Sequence, residues 1–296
     1  MTVIIPDLYH ARELLETNRI KCISPQDASR QDIRPLRIGI LNIMPQCQDY
    51  EFNILHPLGL SILQVDPVWI KLASHNYQSS NQEHINELYI TYEDAVVEEP
   101  LDGMIVTGAP VEHIEFEKVK YWEEISGILI HAVKNCTSVM GICWGGLALA
   151  KLQGIDKFNY QKKLFGVFEL HNISKPSHPV VGEMDDLFWC PQSRHAGIDD
   201  RILEQARNDG RLNLLAHSQE CGYVIFETPD HRSIMHIGHP EYNARRLVQE
   251  ALRDAQMHNV PEPANFDIHH PVNRWRGNRN VFFFSWLKYC YDQISI

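Results

Sequence analysis

Between residues 35 and 142, short apolar runs alternate with stretches of helical spacing, and this alternation restricts the fold more than any other feature of the chain. The runs are "PLRIGILNIM" (35–44), "LQVDPVWIKL" (63–72), "LDGMIVTG" (101–108) and "TSVMGI" (137–142). They are apolar at consecutive rather than alternate positions, as in strands covered on both faces. Pro67 weakens the middle of the second run. Between the runs, "NQEHINELYITYEDAV" and "VKYWEEISGILIHAVKN" have helical patterns. Strand alternating with helix predicts an α/β fold, a parallel sheet with helices on both faces.

Beyond residue 160 the texture changes. "KKLFGVFEL", "LNLLAHS", "GYVIFET" and "RSIMHIGH" are closely spaced and strand-like, so extra β-strands are expected in the C-terminal half. "NARRLVQEALRDAQMH" reads as an amphipathic helix and "VFFFSWLKYCYDQI" as a buried C-terminal one. Residues 1–34 read as an N-terminal arm, in which Leu8, Ala11 and Leu15 fall near helical spacing. The expected organisation is that arm followed by a single α/β domain over 35–296, with an alternative boundary near 155–160.

Composition narrows the partners. A 44% hydrophobic content over 296 residues supplies a sizeable core. The net charge of −11 speaks against wrapping a nucleic-acid backbone, which needs a basic face. Seven cysteines, an odd number at irregular spacing without a CxxC, indicate a reduced intracellular protein with no zinc framework, and no metal site is expected. Pro6 and Asp7 interrupt the start of the chain where a signal peptide needs an unbroken apolar core. No apolar run reaches the ~18 residues of a membrane span. A cytoplasmic location is the expectation.

Chemistry concentrates in "SVMGICWGGLALAK" (138–151), where Cys143 sits between glycines as a strand becomes a helix. Gly-x-Cys-x-Gly at such a junction has the form of a nucleophile elbow. The glycines permit the tight turn. The following helix points its first amides at the sulfur and favours thiolate, and the Trp144 N–H is placed to hold an oxyanion. In isolation the same residues read equally as a buried structural cysteine beside packing glycines.

A thiol nucleophile needs a base. "HIGHPEYNARR" (236–246) follows a strand-like run and precedes a helix. His239 and Glu241, two apart, project to one side of extended backbone. Glu241 can therefore orient His239, which deprotonates Cys143. His236 reads as a strand residue. Alone, His-Pro-Glu is also a plausible helix-entry turn; the cysteine elbow is what favours catalysis.

"GICWGG" with "GHPEY" resembles the class I glutamine-amidotransferase-like (flavodoxin-like) fold. A more specific resemblance is to the homoserine O-acyltransferase family. It is carried by "IRPLRIGILNIMP", "LQVD", "DGMIVTGAPVEHIEFEKVKYW", "GICWG", "GVFE", "SRH", "GHPEY", "QEALRD" and "FFFSWLKYCYDQ", in order from about residue 33 to 293. The resemblance implies a ping-pong reaction. Cys143 takes an acyl group from acyl-coenzyme A as a thioester, and His239, held by Glu241, activates an amino acid's side-chain hydroxyl to receive it. The backbone after Gly108, together with the Trp144 N–H, would form the oxyanion hole. Glu250 and Arg253, i and i+3 on one helix, would bind the acceptor's amino and carboxylate groups. No bound cofactor is implied, acyl-CoA being a co-substrate, and a homodimer is a plausible assembly.

The resemblance also bears on the donor. Two residues after "GAP" the family carries glycine with succinyl transfer and glutamate with acetyl transfer; this chain has Glu112. Two unit charges about 4 Å apart repel by about 4 kcal/mol at an intermediate dielectric, so a carboxylate here opposes a succinyl group. Acetyl-CoA is the expected donor.

For the acceptor, the chain departs from the family after "NIMP". Cys47 replaces a lysine, Tyr50 stands near a threonine and Asn53 replaces a glutamine, while Glu51 survives. With Cys47, Tyr50 and Glu51 taken as acceptor-binding, these concerted changes tip the balance from L-homoserine towards L-serine, shorter by one methylene. The alternatives are homoserine O-succinyl transfer, a thiol hydrolase or glutamine amidotransferase using the same three residues, and a binding protein on an old fold.

Overall fold

The computed structural model describes residues 2–257 and 260–294. In chain order these form β1 (Thr2–Ile4), α1 (Arg12–Thr17), β2 (Lys21–Ile23), α2 (Pro25–Ala28), β3 (Leu36–Leu41), α3 (Cys47–Gly59), β4 (Gln64–Ile70), α4 (Gln82–Leu88), α5 (Tyr92–Glu98) and β5 (Gly103–Val106). Then come α6 (Trp122–Asn135), β6 (Ser138–Ile142), α7 (Trp144–Leu152), β7 (Phe158–Asn172), β8 (Leu187–Gly197) and α8 (Asp200–Asn208). The rest are β9 (Asn213–Ser218), β10 (Gly222–Glu227), β11 (Ser233–His236), α9 (Ala244–Asp254) and α10 (Arg276–Asp292).

The four apolar runs become β3, β4, β5 and β6. β3, β5 and β6 are buried at every position, as their continuous apolar character requires. Pro67 is accommodated because β1 pairs with β4 only at Gln64 and Val65, so the amide that proline lacks has no outer strand to serve. The pattern over 81–96 divides into α4 and α5 around Ile90, which bridges to Ile70 of β4.

All eleven strands among the described residues join one sheet, in the order β2-β1-β4-β3-β5-β6-β11-β10-β9-β7-β8. From β2 to β11 neighbours run parallel; from β11 onward they run antiparallel. β11 returns from the C-terminal half to pair with β6, so the sheet runs straight through the alternative boundary near 155–160.

The N-terminal arm is corrected by the same sheet. β1 and β2 extend its parallel edge, and Val3, Ile5 and Leu15 are buried in the common core. Residues 2–34 are part of the domain, because an apolar strand at a sheet edge gains both a hydrogen-bond ladder and a covered face. Met1, His258 and Ile296, which end expected segments, lie outside the described residues; the helix expected over 243–258 spans Ala244–Asp254.

α10 covers the sheet as expected of a buried helix. A Cβ on Gly103 would come 3.0 Å from both Cys290 Sγ and Trp286, so helix and strand meet without a side chain between them. No described helix is long and apolar enough to cross a membrane. All seven cysteines are buried and unbridged.

β4 lies on one side of β3 and β5 on the other, making a topological switch at the carboxyl end of the sheet. Ligands of open α/β sheets bind there. Met44 and Pro45 follow β3, Gly108 follows β5, Cys143 follows β6 and His239 follows β11, and all of them line one pocket of about 350 Å³.

Candidate active site

Cys143 adopts φ 53° and ψ −115°, a backbone conformation rarely open to a residue with a side chain. The surrounding glycines explain how this is held. A Cβ on Gly141 would lie 2.4 Å from the Gly145 carbonyl oxygen, and one on Gly145 would lie 2.4 Å from the Val106 carbonyl oxygen. Only glycine at both sites lets the first turn of α7 sit directly on the strand ends, with the cysteine projected from the bend. Trp144 is the first residue of α7, so its amide has no partner within the helix. Its ring is buried against Phe116, Tyr121 and Trp122, leaving only the backbone for chemistry. Gly108 approaches from β5: a Cβ there would come 3.3 Å from Cys143 Cβ and 3.6 Å from His239 Cε1.

His239 bonds Glu241 through Nδ1 at 2.7 Å and lines the same pocket as the Cys143 thiol. Burial lowers the imidazole's proton affinity, but Cys143 and then Glu241 outweigh it, so its pKa lies well above the usual histidine value. The Tyr242 ring stacks on the imidazole, centroids 4.1 Å apart, and fixes its plane. Neighbouring His236 is a buried β11 residue whose pKa falls to about 3, because burial and then His239 oppose a second charge.

Behind the triad lies a contact that spacing did not suggest. The Tyr50 hydroxyl donates to Glu241 Oε1 at 2.6 Å, the same oxygen that takes the histidine. Burial, then Glu241, raise the Tyr50 pKa far above that of free phenol, so it stays a donor. Glu241 is fully buried and its Oε2 has no protein partner. We expect Tyr50→Phe to lower kcat about tenfold while leaving KM for the acyl donor unchanged, since one bond to a buried charge is worth about 1.5–3 kcal/mol. Steady-state kinetics at several pH values check this; an unaltered kcat would contradict the positioning role.

The far wall carries a charge cluster. Glu250 accepts from Lys163 Nζ at 2.9 Å, Ser193 Oγ at 2.6 Å and Arg253 Nη2 at 3.1 Å, all on Oε1. Lys163 also donates to Asp254 at 2.7 Å, and Arg253 to Asp254 at 2.6 Å through Nε. Burial works against ionising Glu250, but Lys163, His239 and Ser193 bring its pKa to about 2. Glu250 Oε2 is buried without a protein partner, while the Arg253 side chain is half exposed at the pocket. Glu112 is 7% exposed, lines the same pocket and accepts from the His195 amide at 3.3 Å.

Of the residues singled out from sequence, Cys143, His239, Gly108, Glu112, Glu250 and Arg253 line this pocket; Glu241 supports His239 from behind and Trp144 offers an amide beside the thiol. Cys47, Tyr50 and Glu51 do not line it, which corrects their assignment as acceptor contacts. They lie in the first turns of α3, all buried and facing inward. Cys47 Sγ bonds Ser80 Oγ at 3.1 Å, Tyr50 holds Glu241, and Glu51 is enclosed by Tyr9, His84 and Tyr89. Lys163, Ser193, Tyr242 and Asp254 escape sequence reasoning. "SRH" and the tyrosine of "GHPEY" fall within motifs without a role, and Lys163 sits in a strand-like run that gives no sign of its two acid partners on α9.

Comparison with known proteins agrees with this geometry. A sequence model described as homoserine O-succinyltransferase matches residues 2–296. Two homoserine O-acetyltransferases, from Petrotoga mobilis and Bacillus subtilis, are each 37% identical to the chain. Both alignments cover 98% of this chain, with 94% and 96% of those proteins. Among solved structures, a Thermotoga maritima glutamine amidotransferase matches with a TM-score of 0.58 at 12% identity, covering 87% of this chain and 99% of that one. A glutamine amidotransferase from Methylobacillus flagellatus gives 0.52 at 14% identity, covering 87% and 96%. These two likenesses establish the glutamine-amidotransferase-like fold. The match along the whole chain makes this protein an acyltransferase and a member of the homoserine O-succinyltransferase family.

Proposed function

We propose that the chain is an acetyl-CoA-dependent L-homoserine O-acetyltransferase that works through a Cys143 thioester. The observation that carries this reading is that one pocket presents the Cys143–His239 pair together with Glu250 and Arg253, an acid and a base suited to an amino acid's ammonium and carboxylate.

The raised His239 pKa favours imidazolium beside the sulfur, the setting in which a cysteine attacks as thiolate. The thiolate adds to the acyl-CoA carbonyl. In this reading the Trp144 amide and the backbone after Gly108 hold the oxyanion. The carbon–sulfur bond to coenzyme A breaks, and imidazolium protonates the departing thiolate. The acylated sulfur carries no charge, so the largest influence raising the His239 pKa disappears. Neutral imidazole then takes the proton of the acceptor hydroxyl, whose oxygen attacks the thioester and releases Cys143 as thiolate beside imidazolium. Each half-reaction thus sets the protonation state that the other needs. Glu250 Oε2, lacking a protein partner, suits the acceptor's ammonium, and half-exposed Arg253 suits its carboxylate.

Glu112 supports acetyl over succinyl, because it puts a carboxylate in the wall of the pocket that receives the acyl group. The acceptor is read as homoserine and no longer as serine. The replacements that favoured serine lie outside the pocket, and the 37%-identical relatives are named for homoserine. The test compares kcat/KM for homoserine and serine with acetyl-CoA. Homoserine should lead by tenfold or more, on the order of one methylene's discrimination. Equal or better use of serine would refute the acceptor, and preferential use of succinyl-CoA would refute the donor. Glu112→Gly should raise succinyl-CoA use relative to acetyl-CoA; an unchanged ratio would remove the account of donor choice.

A further inference from the structure

Three segments far apart in sequence meet at Glu51, away from the catalytic pocket. His10 comes from the turn before α1, Glu51 from α3 and His84 from α4. We propose that His10 Nδ1, His84 Nε2 and the Glu51 carboxylate form a site for one zinc-class divalent metal ion, although composition gave no sign of a metal site.

Glu51 is fully buried, and among the described residues no lysine or arginine lies within ion-pair range of it; its partners of that kind are the two imidazoles. A buried carboxylate is normally paired with a cation or bound to a metal. Its oxygens are already oriented, as metal-binding carboxylates usually are: the Tyr9 hydroxyl donates to Oε2 and the Tyr89 hydroxyl to Oε1. Three donors, with His84, leave room for one more interaction among the four lone-pair positions.

The His10 tautomer fits. Its Nε2 lies 3.1 Å from the Gln48 carbonyl oxygen, an acceptor only, so the proton is on Nε2 and the lone pair on Nδ1. Nδ1 lies 3.8 Å from Glu51 Oε2, too far for a hydrogen bond but suitable for two atoms sharing an ion. Donation of the other ring nitrogen to a backbone carbonyl is the usual support for a metal-binding histidine. His84 Nε2, 2.7 Å from Oε1, would exchange its hydrogen bond for coordination. The ligand atoms lie within 4.8 Å of one another; zinc bonds of about 2.0–2.2 Å would draw His10 Nδ1 inward and let His84 Nε2 move out from its hydrogen-bond distance. Two histidines and a glutamate leave a fourth position for water, and exposed His10 gives access from solvent.

A second cluster, His178, Glu227 and His231, has the same composition and fails the same criterion. His178 Nδ1 accepts from the amides of Val180 and Val181, at 3.1 and 3.2 Å. The two amides therefore fix the proton on Nε2, where it is donated to Glu227, so His178 cannot turn a lone pair towards the cluster. This contrast provides an internal control.

The experiment titrates zinc(II) into chelator-stripped full-length Cys143→Ala protein, so that the catalytic thiol does not compete. One equivalent should bind and raise Tm. His10→Gln, at the surface, and His84→Gln should each weaken binding on the order of 100-fold, whereas His178→Gln should leave it intact. Cobalt(II) should give visible d–d absorption without a thiolate charge-transfer band. Absence of stoichiometric binding, binding that survives His10→Gln in a folded protein, or a thiolate band would overturn the site.

Discussion

Incubated with acetyl-CoA and no acceptor, the protein should gain one acetyl group on Cys143, and Cys143→Ala should lose both this label and turnover. The expected loss in kcat/KM is on the order of 10⁴-fold or more, as when a residue acting as one unit with its base is removed. The argument is geometric. The cysteine stands at φ 53° on a bend that two contact-limited glycines impose, beside an imidazole drawn to its proton by the thiol and Glu241. The variant should remain folded, since the change removes a single sulfur and leaves the glycines that build the bend. Intact-mass measurement and peptide mapping check the label; circular dichroism and Tm check the fold. A stable variant that retains turnover would eliminate the thioester mechanism. Glutaminase activity without acetyl labelling would point instead to the hydrolytic chemistry of the same fold.

Lys163→Ala should destabilise the protein by about 3 kcal/mol near neutral pH, the lower end of what breaking a buried ion pair costs. Lys163, Glu250 and Asp254 are 4%, 6% and 3% exposed, and the lysine bridges both acids. Arg253 still reaches both carboxylates, which places the loss at the lower end. Lys163→Met, keeping most of the volume, separates lost charge from lost packing. The pH dependence has a definite sign. Glu250 titrates at about 2 in the folded protein, against an ordinary glutamate value of 4.5, so its contribution is present above about pH 4.5 and lost as pH falls towards 2. Asp254, also lowered despite burial by Arg253 and Lys163, acts in the same direction. Removing Lys163 should therefore flatten the acid limb of stability as well as lower the plateau. Urea unfolding between about pH 2 and pH 7 measures both; an unaltered acid limb would show that the lysine does not hold these acids ionised.

Much of the fold is legible from local pattern. β3, β5 and β6 are continuous apolar runs because both faces are covered, and that property requires no knowledge of their neighbours. The bend at Cys143 is equally local, since glycine, cysteine and glycine must be near neighbours for α7 to start against β5. The pairing of His239 with Glu241 spans two residues and follows the same logic. The N-terminal segment reads as an arm for the opposite reason. Strands of three residues acquire their meaning from partners about twenty or sixty positions away, at Lys21 and Gln64.

The site divides along the same line. Sequence by itself indicated Cys143 at its glycine-flanked bend and His239 beside Glu241, because adjacency and short spacing set each of these local arrangements. Tertiary structure decided what surrounds them. It carried Lys163 from β7 to the two acids of α9. It also turned Tyr50 away from the acceptor and onto Glu241, and gathered His10, Glu51 and His84 from three segments. These contacts span up to 191 residues. Their partners are selected by the closure of the sheet and the need to pair buried charge, and no spacing within the chain records that choice.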